Sequence, residues 1–199
     1  PCPYGVLAQA LGLPIAPALE AGIGISRLEW EKDIPRPSHL PEVTLSLVAP
    51  TTFSTQIVLE PTLGLHMDGV RFEAFNGYQD HYLVTSVRVG LVALAQSHRR
   101  PEGGPFVAGF GLETRRPIYV RAHAYSRIRG DTRTWVPLPD PRVFDQWGFY
   151  WVLRMGLKYQ RLALMLDATF NTGEHALFSL IPANPLNYLN VRLCVRTAL

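Results

Sequence analysis

Proline and glycine divide this chain into short segments, because 17 prolines and 16 glycines are spread along its 199 residues. Both residue types interrupt regular structure and mark turns. Between them, apolar and polar residues alternate with a period of two. Val43, Leu45 and Leu47 fall on one face of such a segment, and Thr44 and Ser46 fall on the other. Successive side chains of a strand point to opposite faces, so the pattern predicts an all-β chain of short strands.

The alternation is clearest towards the carboxyl end, and turn pairs such as Asn76-Gly77 separate several segments. Helical signals are few, and short helices are predicted only over residues 4–13 and 142–147. Many short strands between turn signals are typical of a β-sandwich or a barrel. The predicted strands are residues 43–49, 53–60, 70–75, 83–95, 106–112, 118–128, 132–136, 148–154, 161–170, 176–181 and 188–196.

The first 41 residues differ from the rest, because seven prolines interrupt them and their periodicity is weak. Such a segment is a poor candidate for a core of its own. We therefore predict that residues 1–41 form an extended amino-terminal arm that packs on a neighbouring molecule. Residues 42–199 are long enough for one β-sandwich domain with a substantial core.

No apolar run approaches the roughly 20 residues that a helix needs to cross a bilayer. The longest runs, such as residues 90–95 and 162–166, are far shorter, so the sequence predicts no membrane span. Two cysteines are too few for a disulfide framework or a structural zinc site. Neither a catalytic serine elbow nor a phosphate-binding loop is present, and we predict a non-enzymatic protein without a cofactor.

The basic residues are 17 arginines and only two lysines. Arginine suits interfaces and phosphate contacts, although a GC-rich coding sequence produces the same bias. One predicted strand face carries Tyr119, Arg121, Tyr125 and Arg127. Alternating basic and aromatic side chains can follow phosphates and stack on bases, or they can form a contact between subunits. The sequence leaves both interpretations open and favours the subunit contact.

Arg129, Gly130 and Asp131 spell the tripeptide that integrins recognise on flexible loops. The tripeptide lies between two predicted strands, where Gly-Asp is suitable for a turn. It is therefore a candidate cell-attachment site, with a chance match as the alternative.

An enzymatic alternative starts from His66 and Asp68, which are followed by His123 and then by Arg133. This spacing resembles the facial triad and the substrate-anchoring arginine of iron- and oxoglutarate-dependent oxygenases. A chance tripeptide followed by a turn at Asp68-Gly69 explains the first two residues equally well. The oxygenase hypothesis requires the three ligands to converge.

The segment 186–193 (LNYLNVRL) resembles the closing strand of picornavirus-like capsid subunits, and 132–139 (TRTWVPLP) is similar to Trp-x-Pro runs in such subunits. The resemblance implies an eight-stranded antiparallel jelly-roll β-sandwich with the extended arm and few helices. It also implies a structural subunit of an icosahedral shell that packs against sibling subunits around RNA, in the virion and in the host cytoplasm during assembly. The tripeptide would then contact a host receptor. A β-sandwich binding module of a bacterial or secreted assembly is a third hypothesis.

Overall fold

The computed structural model describes the chain in segments separated by gaps. Among the described residues, no helix is long and apolar enough to cross a membrane. The described residues are 17–29, 40–54, 56–73, 78–97, 105–126, 136–137, 148–159, 161–171 and 187–199.

Eight long strands and two very short ones make up the described part of the chain. The short strands are β3 (Thr51–Thr52) and β7 (Val136–Pro137). The long strands are β1 (Ala18–Glu29), β2 (Leu40–Val48), β4 (Ile57–Glu73), β5 (Tyr78–Gln96), β6 (Phe106–Ser126), β8 (Gly148–Tyr159), β9 (Leu162–Asn171) and β10 (Asn187–Ala198).

The eight long strands close into a single antiparallel barrel. Each pairs with the next long strand along the chain, and β1 closes the ring by pairing with β10. The all-β class is therefore confirmed, but the jelly-roll sandwich is wrong. A jelly roll needs two facing sheets joined by Greek-key crossovers, whereas every pairing between long strands here joins neighbours in an up-and-down ring.

The register fixes the tilt of the strands. Following paired residues once around the barrel from Phe106 leads back to Arg116 on the same strand, a shift of ten residues (116 minus 106). Eight strands about 4.8 Å apart with this shift are tilted by about 40° from the barrel axis. Each residue then advances by roughly 2.5 Å along the axis. This conversion turns sequence positions into heights on the wall.

The polarity of the wall is the reverse of that in a water-soluble protein. Outward positions carry large apolar side chains, such as Ile23 (67% exposed), Phe110 (62%) and Leu153 (50%). Inward positions carry buried charges, including Arg115, Arg154 and Arg192. The alternation along each strand thus separates an apolar exterior from a charged interior.

Glycines make room for these long side chains. An eight-stranded barrel has an interior only wide enough for side chains to fill. Eight glycines occupy inward positions: Gly22, Gly24, Gly64, Gly90, Gly109, Gly111, Gly148 and Gly156. A Cβ at Gly109 would collide with the backbone of Ala93, whereas the nearest atom to a Cβ at Gly90 would be 3.3 Å away. A smaller apolar cluster, which includes Leu94, Val107 and Met165, fills part of the interior nearer one end.

The predicted segments coincide with the wall only in part. The two predicted strands 106–112 and 118–128 are one strand, β6, which continues through an irregularity near Pro117. Within the predicted arm, residues 18–29 form β1, which is paired on both sides. The predicted helices, the predicted strand 176–181 and all but the last residue of 132–136 lie outside the described residues.

Candidate functional site

The barrel interior holds a group of ion pairs centred on two arginines from different strands. Arg154 of β8 donates to Glu20 of β1 (2.8 Å) and to Glu60 of β4 (3.1 Å). Arg196 of β10 donates to the same two carboxylates, at 2.7 Å and 2.6 Å. The four side chains come from four strands, and β4 and β8 are three strands apart around the ring. At this level the side chains therefore meet across the lumen.

Asp167 connects this group to a second one. Arg154 donates to both of its carboxylate oxygens at 2.7 Å, a bidentate geometry. Arg192 donates to the same carboxylate at 3.0 Å and to Glu113 at 3.3 Å. Glu113 also accepts from Arg115 at 2.6 Å and lies 3.0 Å from the Nε atom of Arg88. The interior charges thus form one connected network.

His66 lies in the second group. Its Nε2 atom is 2.9 Å from Nη1 of Arg115, and it is 3.5 Å from Glu42 and 3.4 Å from Asp68. The Nε2 atom thus lies between one guanidinium and two carboxylates. The histidine therefore forms part of the ion-pair network.

The described inward positions balance their charges. Twelve side chains of Asp, Glu, Lys and Arg line the described interior, six acidic and six basic, and all are buried except the half-buried Lys158. Buried charges are tolerated only when they are paired and hydrogen-bonded. The acids are Glu20, Glu42, Glu60, Asp68, Glu113 and Asp167, and the bases are Arg88, Arg115, Arg154, Lys158, Arg192 and Arg196.

The ion pairs between the interior side chains limit what this interior can bind. Glu20, Asp167 and Cys194 bring three potential metal ligands within 4.8 Å of one another. Both carboxylates already accept hydrogen bonds from arginines, with Arg154 touching each of them. A cation there would compete with bound guanidinium groups, so the set fits a structural network better than a metal centre.

The triad of the oxygenase hypothesis does not converge. His66 and Asp68 face the interior from β4. His123 is paired with His81, and His81 is paired with Arg71, five positions beyond His66 along β4. Five residues of strand correspond to about 17 Å. The barrel register therefore separates His123 from the other two residues.

The basic and aromatic face predicted on β6 is partly described. Tyr119 and Arg121 both point outwards, and Arg121 donates to the Tyr119 hydroxyl at 2.8 Å. The Tyr125 side chain and Arg127 lie outside the described side chains, as do Arg129, Gly130 and Asp131. Their roles stay predictions.

The outer surface is uniform apart from this region. Among the outward positions whose side chains the structure describes on the eight wall strands, only Arg116 and Arg121 are charged. Aromatic residues lie towards both ends of the wall. Phe106 and Tyr159 are near one rim, and Phe149 and Trp151 are near the other. The apolar band encircles the described wall, and on β8 aromatic side chains lie at both of its ends.

Sequence reasoning missed the interior network, although a signal for it was present. Glu42, Asp167, Arg192 and Arg196 occupy the same strand face as Thr, Ser or Cys residues, opposite a largely apolar face. Acids and bases occur on that face in equal numbers. A solvent-exposed face does not need equal numbers of acids and bases, whereas a closed interior does.

Comparisons with known proteins found similar solved structures but no related sequence. No protein-family model and no curated protein sequence matches the chain. Among solved structures, the attachment invasion locus protein Ail of Yersinia pestis matches with a TM-score of 0.47 and 10% identity, over 93% of this chain and 99% of that one. Neisserial surface protein A matches at 0.48 and 8%, over 92% and 97%. The outer membrane protein OprG of Pseudomonas aeruginosa matches at 0.37 and 10%, over 92% and 93%.

The capsid and oxygenase hypotheses are both wrong. The chain is a closed up-and-down barrel with an apolar exterior, whereas a capsid subunit of the resembled type needs a jelly roll and the oxygenase needs three converging ligands. Sibling capsid subunits, enclosed RNA, a virion location and the host cytoplasm therefore do not apply. The prediction of no membrane span is also wrong for this type of barrel, because it considered only continuous apolar runs.

Proposed function

We propose that this chain is an integral membrane β-barrel of the bacterial outer-membrane type, with lipid around its wall and a lumen closed by ion pairs. One observation carries the proposal, namely the reversed polarity of the wall. Soluble monomers rarely expose apolar patches larger than a few hundred Å². Here the apolar surface runs around the whole circumference. Such an exterior fits a hydrocarbon environment.

The hydrogen bonding of the backbone fits the same environment. Hydrocarbon offers no hydrogen-bond partners, so a spanning sheet must close on itself and leave no edge. The register closes the ring through β1 and β10 on one side and through β2 and β4 on the other. Every long strand of the described wall has a partner on both sides.

The height of the apolar band matches a bilayer. The outward residues of β8 run from Phe149 to Tyr159, ten positions apart, and all of them are apolar or aromatic. At roughly 2.5 Å of axial rise per residue, they cover about 25 Å, which is the usual height of such a band.

The lumen is proposed to be closed. Arg154 and Arg196 join carboxylates from opposite parts of the wall, and Arg192 and Arg115 continue the network along the axis. An open diffusion channel requires a continuous aqueous passage, which these buried side chains obstruct. The role that fits is a non-enzymatic membrane anchor.

The anchor would present its longer connections at one rim. Residues 30–39, 74–77, 127–147 and 172–186 join strands at the same end of the barrel. All of these except the short 74–77 connection are longer than every connection at the other end. Barrels of this type have long connections on the external side. Arg129, Gly130 and Asp131 belong to the 127–147 connection, so the cell-attachment candidate would be placed externally.

Reconstitution tests both parts of the proposal. The full chain, refolded from urea into phospholipid vesicles, is expected to float with them after an alkaline wash and to migrate differently on gels before and after heating. A monomer that stays folded in water without lipid or detergent would overturn the membrane assignment. In planar bilayers we expect no stable conductance steps. Steps typical of an open pore would overturn the closed lumen alone.

A further inference from the structure

The irregularity in β6 changes which side chains face outwards. Residues 107, 109, 111, 113, 115 and 117 occupy inward positions. The register then shifts, because Ser86 pairs with Pro117 while Thr85 pairs with Tyr119. Ile118 is the extra residue, and both Ile118 and Tyr119 are exposed, at 52% and 39%. Without this bulge, Tyr119 and Arg121 would point into the barrel.

We propose that this bulge presents Tyr119 and Arg121, together with Arg116, as a binding site for the phosphate group of a membrane lipid. The inference rests on the proposed membrane location. β-Bulges commonly redirect side chains at barrel rims. In this chain the redirected pair includes one of only two charges on the described outward wall positions, and the other charge, Arg116, is on the same strand.

The Tyr119–Arg121 pair is arranged to hold an anion. The Arg121 Nε atom donates to the Tyr119 hydroxyl at 2.8 Å, and the guanidinium carbon lies 5.4 Å from the centre of the tyrosine ring. These contacts fix the orientation of the guanidinium. The Arg121 side chain is exposed, and its Nη atoms are not used in these contacts. A planar guanidinium can bind two phosphate oxygens at once.

The site spans the height of lipid headgroups, with Arg116 just below the headgroup layer and Arg121 at its outer edge. Following the register from β6 through β8 to β9, we take the level of Leu166 as the middle of the apolar band. With the tilt derived above, Arg116 lies roughly 13 Å above this level, and Tyr119 and Arg121 lie roughly 18–24 Å above it. A hydrocarbon core of about 30 Å within a bilayer of about 40–45 Å places headgroups between roughly 15 and 22 Å from the middle.

Location also decides between possible sources of phosphate. The side chains face away from the lumen, on the same surface as the lipid-facing residues Ile118 and Leu112. A free phosphate or a nucleotide would have to displace lipid to reach Arg116 at the edge of the apolar band. A lipid phosphate is already there, and its acyl chains would cover the apolar wall below.

Native mass spectrometry of the full chain in detergent micelles can test the site. The probes are dioleoyl phosphatidic acid and dioleoyl phosphatidylcholine, which have the same acyl chains but different headgroup charge. Arginines at a membrane surface each contribute to binding anionic lipid. For R116Q/R121Q we expect phosphatidic acid to bind at least about fivefold more weakly, with phosphatidylcholine unchanged.

The matched control is R161Q, because Arg161 is an exposed arginine near the opposite rim, in the short β8–β9 turn. It should retain wild-type selectivity for phosphatidic acid. Inorganic phosphate at millimolar concentration should not displace the lipid, and displacement would assign the site to free phosphate instead. Equal selectivity in wild type and R116Q/R121Q would overturn the lipid site.

The test separates the two proposals. Each variant is first checked for vesicle flotation and for heat-dependent migration on gels. Failure of the wild-type chain to enter vesicles overturns the membrane assignment. Normal insertion of every variant, with no change in lipid selectivity, overturns the lipid site and leaves the membrane assignment in place. Y119F removes the hydroxyl that orients Arg121 and should cause a smaller loss than the double variant.

Discussion

An arginine at the middle of the outer wall should be far more costly than one near the rim. Leu166 is at the centre of β9, faces outwards with 42% of its surface exposed, and is paired with Met155 and Leu193. Leu162 faces the same way at the start of β9 and is 56% exposed. The two leucines are four residues apart, which corresponds to about 10 Å along the axis.

The expected magnitudes follow from depth. An arginine on the lipid face costs about 2–4 kcal/mol at the bilayer midplane and about 0–1 kcal/mol near the interface. Leu166→Arg should therefore lower the free energy of unfolding by roughly 2–3 kcal/mol more than Leu162→Arg. On the surface of a soluble protein, both substitutions would stay within about 0.5 kcal/mol.

The assay is reversible folding into phospholipid vesicles, with guanidinium titration followed by tryptophan fluorescence from the four tryptophans of the chain. Comparing two leucine-to-arginine changes on one strand cancels effects of side-chain size and strand propensity. Equal costs at the two positions would show that the outer face of β9 is not immersed in hydrocarbon, and the reasoning from polarity would fail.

Three further predictions concern the interior. Arg154→Met removes the one side chain that contacts Glu20, Glu60 and Asp167 together, and it should lower the free energy of unfolding by about 3–5 kcal/mol in the same titration; a loss below about 1 kcal/mol would contradict a buried network. Gly109→Ala should lower the free energy of unfolding by about 1–3 kcal/mol, because the backbone must move to admit the methyl group. Gly90→Ala should lower it by less than about 1 kcal/mol, and equal losses at the two positions would argue against the register. In a Cys2→Ser variant, Cys194, which is fully buried, should resist a water-soluble maleimide until the protein is denatured, and rapid labelling of the folded variant would show that water reaches Cys194.

Strand positions were predictable because the period of two is a local property. The predicted segments 148–154, 161–170 and 188–196 fall almost wholly within β8, β9 and β10. Closure of the ring was not predictable in this way, because it depends on pairing between residues as distant as Ala18 and Ala198. Local alternation is the same in a sandwich and in a barrel.

The sidedness of the pattern was misread. In the last strand, Leu189, Val191 and Leu193 alternate with Asn190 and Arg192, and the predicted sandwich would bury the apolar set in its core. The structure places the leucines and valine outside and the polar residues inside. An alternating sequence specifies two faces and leaves open which one is enclosed. The resemblance to capsid subunits rested on the short segments 186–193 and 132–139, and it did not show which face of a strand is enclosed either.

The candidate sites failed or remained open for similar reasons. His66 and Asp68 share a face because they are two positions apart, which the sequence does show. The position of His123 depends on the β5–β6 register, which the sequence does not show. The outward direction of Arg121 depends on a one-residue bulge near Pro117, and no simple period predicts where such a bulge falls.

Spin-label accessibility along β9 tests the membrane assignment most directly. Labels are placed one at a time at the outward positions Leu162, Leu164, Leu166, Ala168 and Phe170 of the full chain in vesicles, with native cysteines replaced. Accessibility to oxygen relative to a water-soluble nickel complex should peak at Leu166 and fall towards both ends of the strand, as the bilayer profile requires. High accessibility to the nickel complex at all five positions would contradict a lipid-facing wall.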